Sequence, residues 1–448
     1  MRAHLAGRAL VVCLSVLLLG AIALAPATKG AVLLVKLRES VSRADASELY
    51  ASLGGVWERR LRGIDVDRVL VAPERQTAAM RALEQDDRVE LVERGDALTL
   101  EPATRRTTFS LLPAPQSGPA SNRLTIGGPS TLLGPPLAQV VEAADPYLTR
   151  QWALEAMRVP QAWAITTGRQ DVQIALMDTG LDYEHPDRPQ NVIYGRSYVA
   201  GAESSADDVG HGTQLAGIIG APHGNAEGVA GIAPRATVGA IKVTDARGWT
   251  EPATLAEVIV DAVDSSYWIV NLSLGWPQPS ETVRRALAYA DRQGVLVVAA
   301  AGNCGGGCVG RPANARTYPA AYERVLAVTA TDRTDRPAPF SESGAYVALA
   351  APGVEIATTA WPGAKRGEQV CSTDRRYCYA HGTSMAAAAV SSVAALVWAA
   401  NPTLSHRQVA AILAETAVDV GPPGRDPLTG AGRVDALAAV EAAVRLRE

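Results

Sequence analysis

Val172-Gln173-Ile174-Ala175-Leu176-Met177 runs without a break into Asp178-Thr179-Gly180. A short, nearly continuous apolar run is how a strand buried on both faces reads. The turn that follows puts an acid at the carboxyl end of that strand. Similar runs recur at Thr237–Val243, Trp268–Leu274, Val295–Ala300, Val325–Thr329 and Tyr346–Ala350. Helical spacing fills several of the gaps, at Ala253–Val263, Glu281–Gln293, Thr383–Ala400 and His406–Ala417. Strand and helix in alternation predict an α/β fold with a doubly wound, mainly parallel sheet over residues 145–448. The Ala-rich helix after Ser384 reads as a core helix, because polar sequence flanks it and Ser391 and Ser392 interrupt it.

Upstream the character changes twice. Residues 101–144 are dominated by Pro, Gly, Ser and Thr and read as a linker. Residues 31–100 read as a small unit. Ala31–Leu37, Asp65–Val71 and Val89–Val92 are strand-like, and Asp45–Leu53 and Glu74–Leu83 have helical spacing. The order β-α-β-α-β predicts a small open α+β sandwich. Residues 1–27 begin with Arg2 and Arg8, continue through an uncharged run from Ala9 to Ala25, and end on Ala25-Pro26-Ala27. That is the pattern of an export signal, predicting a secreted protein, or a membrane-anchored one if the signal is kept.

The chain has 448 residues, 48% hydrophobic and 20% charged, which excludes a wholly disordered protein. A net charge of −4 gives no reason to expect a nucleic-acid partner. With 2 Phe and 8 Trp, the core must be built from Ala, Val, Leu and Ile.

Three further segments belong at the same sheet edge as Asp178. His211-Gly212-Thr213 opens an apolar helix, and Gly382-Thr383-Ser384-Met385 opens the Ala-rich one. Ala299-Ala300-Ala301-Gly302-Asn303 leaves a strand. Active sites of such sheets collect at strand carboxyl ends and helix amino ends. A serine hydroxyl is a weak nucleophile until an imidazole takes its proton and a carboxylate holds that imidazole. A helix N-terminus adds backbone N–H groups and positive dipole for the anion that forms. Each segment alone reads more simply as a turn, a cap or a packed residue. Together, and in this order, they read as one catalytic set.

The set resembles the subtilisin-type serine proteases, the subtilases. Asp178, His211 and Ser384 follow the chain order of that family. The surrounding text agrees: His185-Pro186-Asp187, Gly228-Val229-Ala230-Gly231-Ile232-Ala233-Pro234, Asn271-Leu272-Ser273-Leu274-Gly275, Tyr318-Pro319-Ala320 and Ala350-Ala351-Pro352-Gly353. The start at Asp145-Pro146-Tyr147 is similar to thermitase-like members. The likeness covers about 145–445. It implies an endopeptidase with Asp178 orienting, His211 as general base and acid, Ser384 as nucleophile and Asn303 in the oxyanion hole. It implies a groove for the residue before the scissile bond, lined by Ser273, Leu274, Gly275, Ala300, Ala301 and Gly302. Thr317 falls where the family often has Gly at the pocket floor, which implies a preference for small or medium side chains. Residues 31–100 then resemble the family's inhibitory propeptide, so the partners expected are peptide or protein substrates and the chain's own propeptide, on a monomer. The family also implies a structural Ca²⁺, held by Asp145, Asp187 and Asn225 with the backbone carbonyls of His223, Glu227 and Val229.

Some positions depart from the family pattern: Ala388 and Ala389 in the serine helix, His381 before Gly382, Gln214 in the histidine helix and Cys304 after Asn303. None touches the triad. The rival class is a pseudoenzyme or binding module that keeps the fold. A decayed enzyme usually loses a triad member, and this chain has all three. Cys304, Cys308, Cys371 and Cys378 remain after the signal, and Cys13 leaves with it. Three disulfide pairings are open, with the two local ones, Cys304–Cys308 and Cys371–Cys378, favoured. A four-thiolate zinc site fits poorly, because the second pair is seven residues apart.

Overall fold

The structure, a computed structural model, describes residues 30–95, 98–99, 145–308, 311–364 and 372–447. The export signal at 1–27, the linker at 101–144 and Cys371 lie outside the described residues.

The small unit holds β1 (Ala31–Leu37), α1 (Arg43–Ser52), β2 (Val56–Leu61), β3 (Val66–Val71), α2 (Gln76–Glu84) and β4 (Val89–Arg94). Its antiparallel sheet has the order β2-β3-β1-β4. One strand, β2, was not foreseen. It carries Trp57-Glu58-Arg59-Arg60, is largely exposed and lies at the sheet's edge, so it shows neither a buried run nor clean alternation. In β1 the period of two divides the core. Leu33, Val35 and Leu37 pack with Leu49, Tyr50 and Leu83 of α1 and α2. Val32 and Leu34 face the other way, into a cluster shared with the large domain.

The large domain is built on a parallel sheet, as predicted, and the sheet has seven strands. Its strands are β6 (Gln173–Asp178), β7 (Val192–Ser197), β8 (Thr237–Lys242), β10 (Ile269–Leu272), β11 (Leu296–Ala300), β12 (Val325–Thr331) and β13 (Val347–Pro352). Two short strands, β5 (Leu98–Thr99) and β9 (Trp249–Thr250), pair with each other, and β14 (Ile356–Thr359) pairs with β15 (Tyr377–Ala380). The sheet order is β13-β12-β11-β10-β6-β8-β7. From β8 the chain crosses β6 to reach β10, so the direction of winding reverses beside β6. In open α/β sheets the crevice outside the strand ends at such a reversal is where ligands bind.

Helices cover both faces. The short helices α3 (Trp152–Ala156) and α4 (Val159–Trp163) lie ahead of the sheet in the chain. On one face are α5 (His211–Gly220), α8 (Thr383–Ala400), α9 (His406–Glu415) and α10 (Ala436–Arg445). On the other are α6 (Pro252–Asp264) and α7 (Glu281–Arg292). Along β6, Ile174 and Leu176 serve the first face while Ala175 and Met177 serve the second. Every residue of α8 is buried. Its window of mean hydropathy 1.6 makes it apolar enough to cross a membrane, but here it is the packed core of the domain. The small side chains of Ala386 to Ala389 let it lie close to the sheet. Ser391 ties it to the strands by a polar contact, its hydroxyl donating to Asn271 at 2.9 Å.

Candidate active site

Asp178 closes β6 with its side chain buried. Its Oδ1 accepts the Thr179 N–H at 2.8 Å and lies 2.7 Å from Nδ1 of His211, the first residue of α5. The next residue explains how the helix gets so near. A Cβ on Gly212 would sit 2.1 Å from the Gly180 carbonyl oxygen, so only glycine lets α5 abut the turn after β6. Asp207 then ties helix to turn. Its Oδ1 accepts the Gly210 N–H at 2.8 Å and the Thr179 hydroxyl at 2.8 Å, and its Oδ2 accepts the Thr213 N–H at 2.9 Å. Sequence reading passed over Asp207, although an Asp just ahead of a helix start is a capping signal. Buried Lys242 donates to the Thr179 carbonyl at 2.7 Å and holds the same turn from below.

Two effects compete on His211. Burial opposes its protonation, but the charge and hydrogen bond of Asp178 outweigh burial, with Asp207 adding to them, so its pKa lies above the ordinary imidazole value.

Ser384 is the second residue of α8 and is buried, 6% exposed. Its hydroxyl donates to the Ser273 carbonyl at 3.3 Å, and the Ser273 hydroxyl donates back to the Ser384 carbonyl at 3.1 Å. Asn303 is anchored on the same helix end. Its Oδ1 accepts the Thr383 N–H at 2.9 Å and the Thr383 hydroxyl at 3.0 Å. That fixes the carboxamide with its NH₂ as the donating end. The predicted residues thus form two contact groups at one edge of the sheet: Asp178 with His211, and Ser384 with Ser273, Thr383 and Asn303. Ordered this way, they can take a proton from a hydroxyl, and they offer N–H donors at a helix N-terminus to an oxyanion.

The groove residues follow from the register. β10 and β11 run parallel with Leu272 opposite Ala299, so Ser273-Leu274-Gly275 and Ala300-Ala301-Gly302 leave the sheet side by side. Thr317 lies between them, buried, with the backbone of Tyr318 bridged to Trp276. The small unit reaches this edge as well. Leu98 and Thr99 pair antiparallel with Thr250 and Trp249 of the strand after β8.

Of the proposed metal ligands, Asp145, Asp187 and Asn225 come together. Asp145 accepts the N–H groups of Gly224 and Asn225 at 2.9 and 3.0 Å. Asp187 accepts the Asn225 amide at 3.0 Å and the Val229 N–H at 2.8 Å. The loop from His223 to Val229 therefore wraps both acids, while the His223 ring lies tilted against Trp163, ring centroids 4.4 Å apart. Among the described residues, no group of three or more His, Cys, Asp or Glu gathers closely enough to hold a metal. What does gather is buried negative charge. Burial pushes the Asp187 carboxyl up to about 6, and Asp145 and Glu227 push the same way. Two buried carboxylates with no basic side chain among their hydrogen-bond partners fit a hard divalent cation.

Cys304 and Cys308 form the expected local disulfide. The second expected pair involves Cys371, outside the described residues. Gln214, one of the departures noted, donates to the Cys378 sulfur at 3.3 Å.

A sequence profile of the subtilase family matches residues 169–432. M-protease of Shouchella clausii is 37% identical over 310 residues, covering 68% of this chain and 75% of that protein. Subtilisin Savinase of Lederbergia lenta is 38% identical over 288 residues, 64% of this chain and 97% of the relative. Thermitase of Thermoactinomyces vulgaris is 36% identical over 298 residues, 66% and 98% respectively.

Proposed function

This chain belongs to the subtilase family and is a serine endopeptidase, and from that premise we propose that it is a secreted enzyme, made as a self-processed zymogen, that works through Asp178, His211 and Ser384. The observation that carries the reading is the Asp178–His211 contact of 2.7 Å at the same sheet edge as the N-terminus of α8, where Ser384 sits and Asn303 is anchored.

In this mechanism His211 Nε2 takes the proton as Ser384 Oγ attacks the scissile carbonyl. Asp178 holds Nδ1, fixes the tautomer and stabilises the imidazolium. The oxyanion accepts from the Asn303 amide and the Ser384 N–H. His211 then gives the proton to the leaving amine. A water, deprotonated by the same imidazole, releases the acyl group from Ser384. Ser273, Leu274, Gly275, Ala300, Ala301 and Gly302 flank the residue before the scissile bond, and Thr317 closes the floor beneath it.

Residues 31–100 act as the propeptide. The pairing of Leu98–Thr99 with Trp249–Thr250 supports a tail laid along the cleft edge, and cleavage falls between it and Asp145. Asp145, Asp187 and Asn225, with the carbonyls of His223, Glu227 and Val229, would hold a Ca²⁺. The ion would neutralise the buried acids and pin the loop that follows α5. The substrates are peptides or proteins, and the enzyme acts as a monomer.

A sulfonyl fluoride tests the nucleophile. The reading expects one covalent adduct per chain, on the peptide containing Ser384, with loss of peptidase activity in step. A folded, active enzyme labelled elsewhere, or not at all, would remove Ser384 from its role.

A further inference from the structure

Gly275 and Gly302 face each other across the groove, and the space a side chain would take on either is already filled. A Cβ on Gly275 would lie 2.4 Å from Thr317 Cγ2, and one on Gly302 would lie 2.5 Å from Thr317 Oγ1 and 2.3 Å from Glu342 Oε2. A carboxylate therefore lies directly beneath the groove, one residue from Asn303. Glu342 is wholly buried, and its backbone N–H donates to the Gly302 carbonyl at 2.9 Å. Thr317 donates its hydroxyl to Glu342 Oε2.

A charge so placed needs a partner, and the partner comes from the chain just after the Cys304–Cys308 loop. Arg311 Nη2 donates to Glu342 Oε2 at 3.0 Å and to the Thr317 hydroxyl at 2.5 Å, and it lies 2.9 Å from Oε1 as a charge contact without a hydrogen bond. The same nitrogen reaches the carbonyls of Ala315 and Arg316 at 3.0 and 3.2 Å. The Arg311 side chain is 9% exposed. The floor is thus a threonine braced by an internal arginine–glutamate pair.

We propose that Arg311 and Glu342 determine which side chain the peptidase accepts before the scissile bond: the pair restricts the pocket above Thr317 to small uncharged side chains, and Arg311 occupies the position that a substrate lysine would otherwise take on Glu342. This rests on the peptidase reading above and deepens it. The physical content is a balance of charge. With both groups present the floor is neutral and shallow. An incoming lysine finds the carboxylate already paired, and an incoming glutamate finds the guanidinium already paired. Removing one member leaves a buried charge of known sign facing the groove, and a substrate of opposite charge gains what the internal partner lost.

The test is kcat/KM on a peptide series that differs only before the scissile bond, with Ala, Leu, Phe, Lys and Glu. Enzyme is purified from expression of the full chain, as wild type, Arg311→Gln, Glu342→Gln and the double variant. The wild type is expected to prefer Ala over Lys and Glu by at least about tenfold. In Arg311→Gln the Lys-to-Ala ratio rises about tenfold or more, equivalent to ~1.4 kcal/mol. In Glu342→Gln the Glu-to-Ala ratio rises instead. In the double variant both gains disappear. Ratios that stay at wild-type values in variants that still cleave the Ala peptide overturn the proposal and leave the peptidase reading intact. A wild type that prefers Lys overturns it as well. A folded wild type that cleaves none of the series overturns both. Should Arg311→Gln fail to fold, Glu342→Gln decides alone, because its predicted shift has the opposite sign and is isosteric.

Discussion

The two sheets bury their faces in different ways. The large sheet is covered on both sides by helices of its own domain. The small sheet covers one face with α1 and α2 and leaves the other to a neighbour. Val32, Leu34, Leu61, Ile64 and Val66 belong to the cluster formed with α6 and α7, not to the small unit's own. Charges frame that contact. Arg68 pairs with Glu251 at 2.9 Å and Arg285 with Glu90 at 2.9 Å. Glu93 accepts the N–H of Thr282 at 2.9 Å and the Thr282 hydroxyl at 2.6 Å, acting as a foreign cap on the N-terminus of α7. The lesson is a division of labour. The large domain covers both faces of its sheet with its own helices, and the small unit completes its second face only against α6 and α7.

Predictions that test this division run from large effects to small. Asn303→Ala should lower kcat by about 10²–10³, the size seen when an oxyanion donor of this kind is removed from a subtilisin. An unchanged kcat would take Asn303 out of the chemistry. Calcium comes next. A site filled at a hundred times its Kd stabilises by about 2.7 kcal/mol, so a chelator should lower Tm by roughly 5–10 °C. A Tm indifferent to chelator counts against an ion at Asp145 and Asp187. Glu93→Ala should weaken inhibition of the processed enzyme by the separately made small domain about tenfold to 150-fold, since hydrogen bonds to a charged group are worth about 1.5–3 kcal/mol. The same domain alone, residues 30–95, should show weak or no cooperative unfolding until the large domain is added. A sharp transition in isolation would break the comparison.

The smallest effect is in pH. His211 must be neutral to take a proton, and its pKa is raised above 6.5 by Asp178 against the opposing effect of burial. Activity should therefore fall as pH drops through a midpoint above 6.5. The contribution of this pair to stability has the opposite sense: it is full below 6.5 and lost as pH rises through the folded value. An acid limb centred below 6.5 would contradict the assigned pairing.

Much of this was legible in the sequence, for physical reasons. Strands buried on both faces announce themselves as apolar runs, and all six such runs proved to be strands of the large sheet. Edge strands do not. Val192–Ser197 exposes Tyr194, and Val56–Leu61 exposes most of its residues, so neither shows the buried pattern. In the site, Asp178, His211, Asn303 and Ser384 were visible because each marks the end of a strand or the start of a helix. Asp207 carried a capping signal that went unread. Glu342 carried none: a lone Glu in Phe340-Ser341-Glu342-Ser343-Gly344 is an ordinary loop residue until the fold brings it against Gly302. Arg311 is equally silent, since its meaning lies in a partner 31 positions away.

The central claim is that Ser384 performs the chemistry and that its first substrate is the chain itself. Intact mass of the purified protein, wild type beside Ser384→Ala, tests it most directly. The account predicts that the wild type loses an N-terminal piece of roughly 100 residues or more, ending past β5, while the variant, with a nucleophile loss worth about 10⁶ in rate, keeps it. Two chains of equal length, both whole or both cut at the same bond, would contradict it.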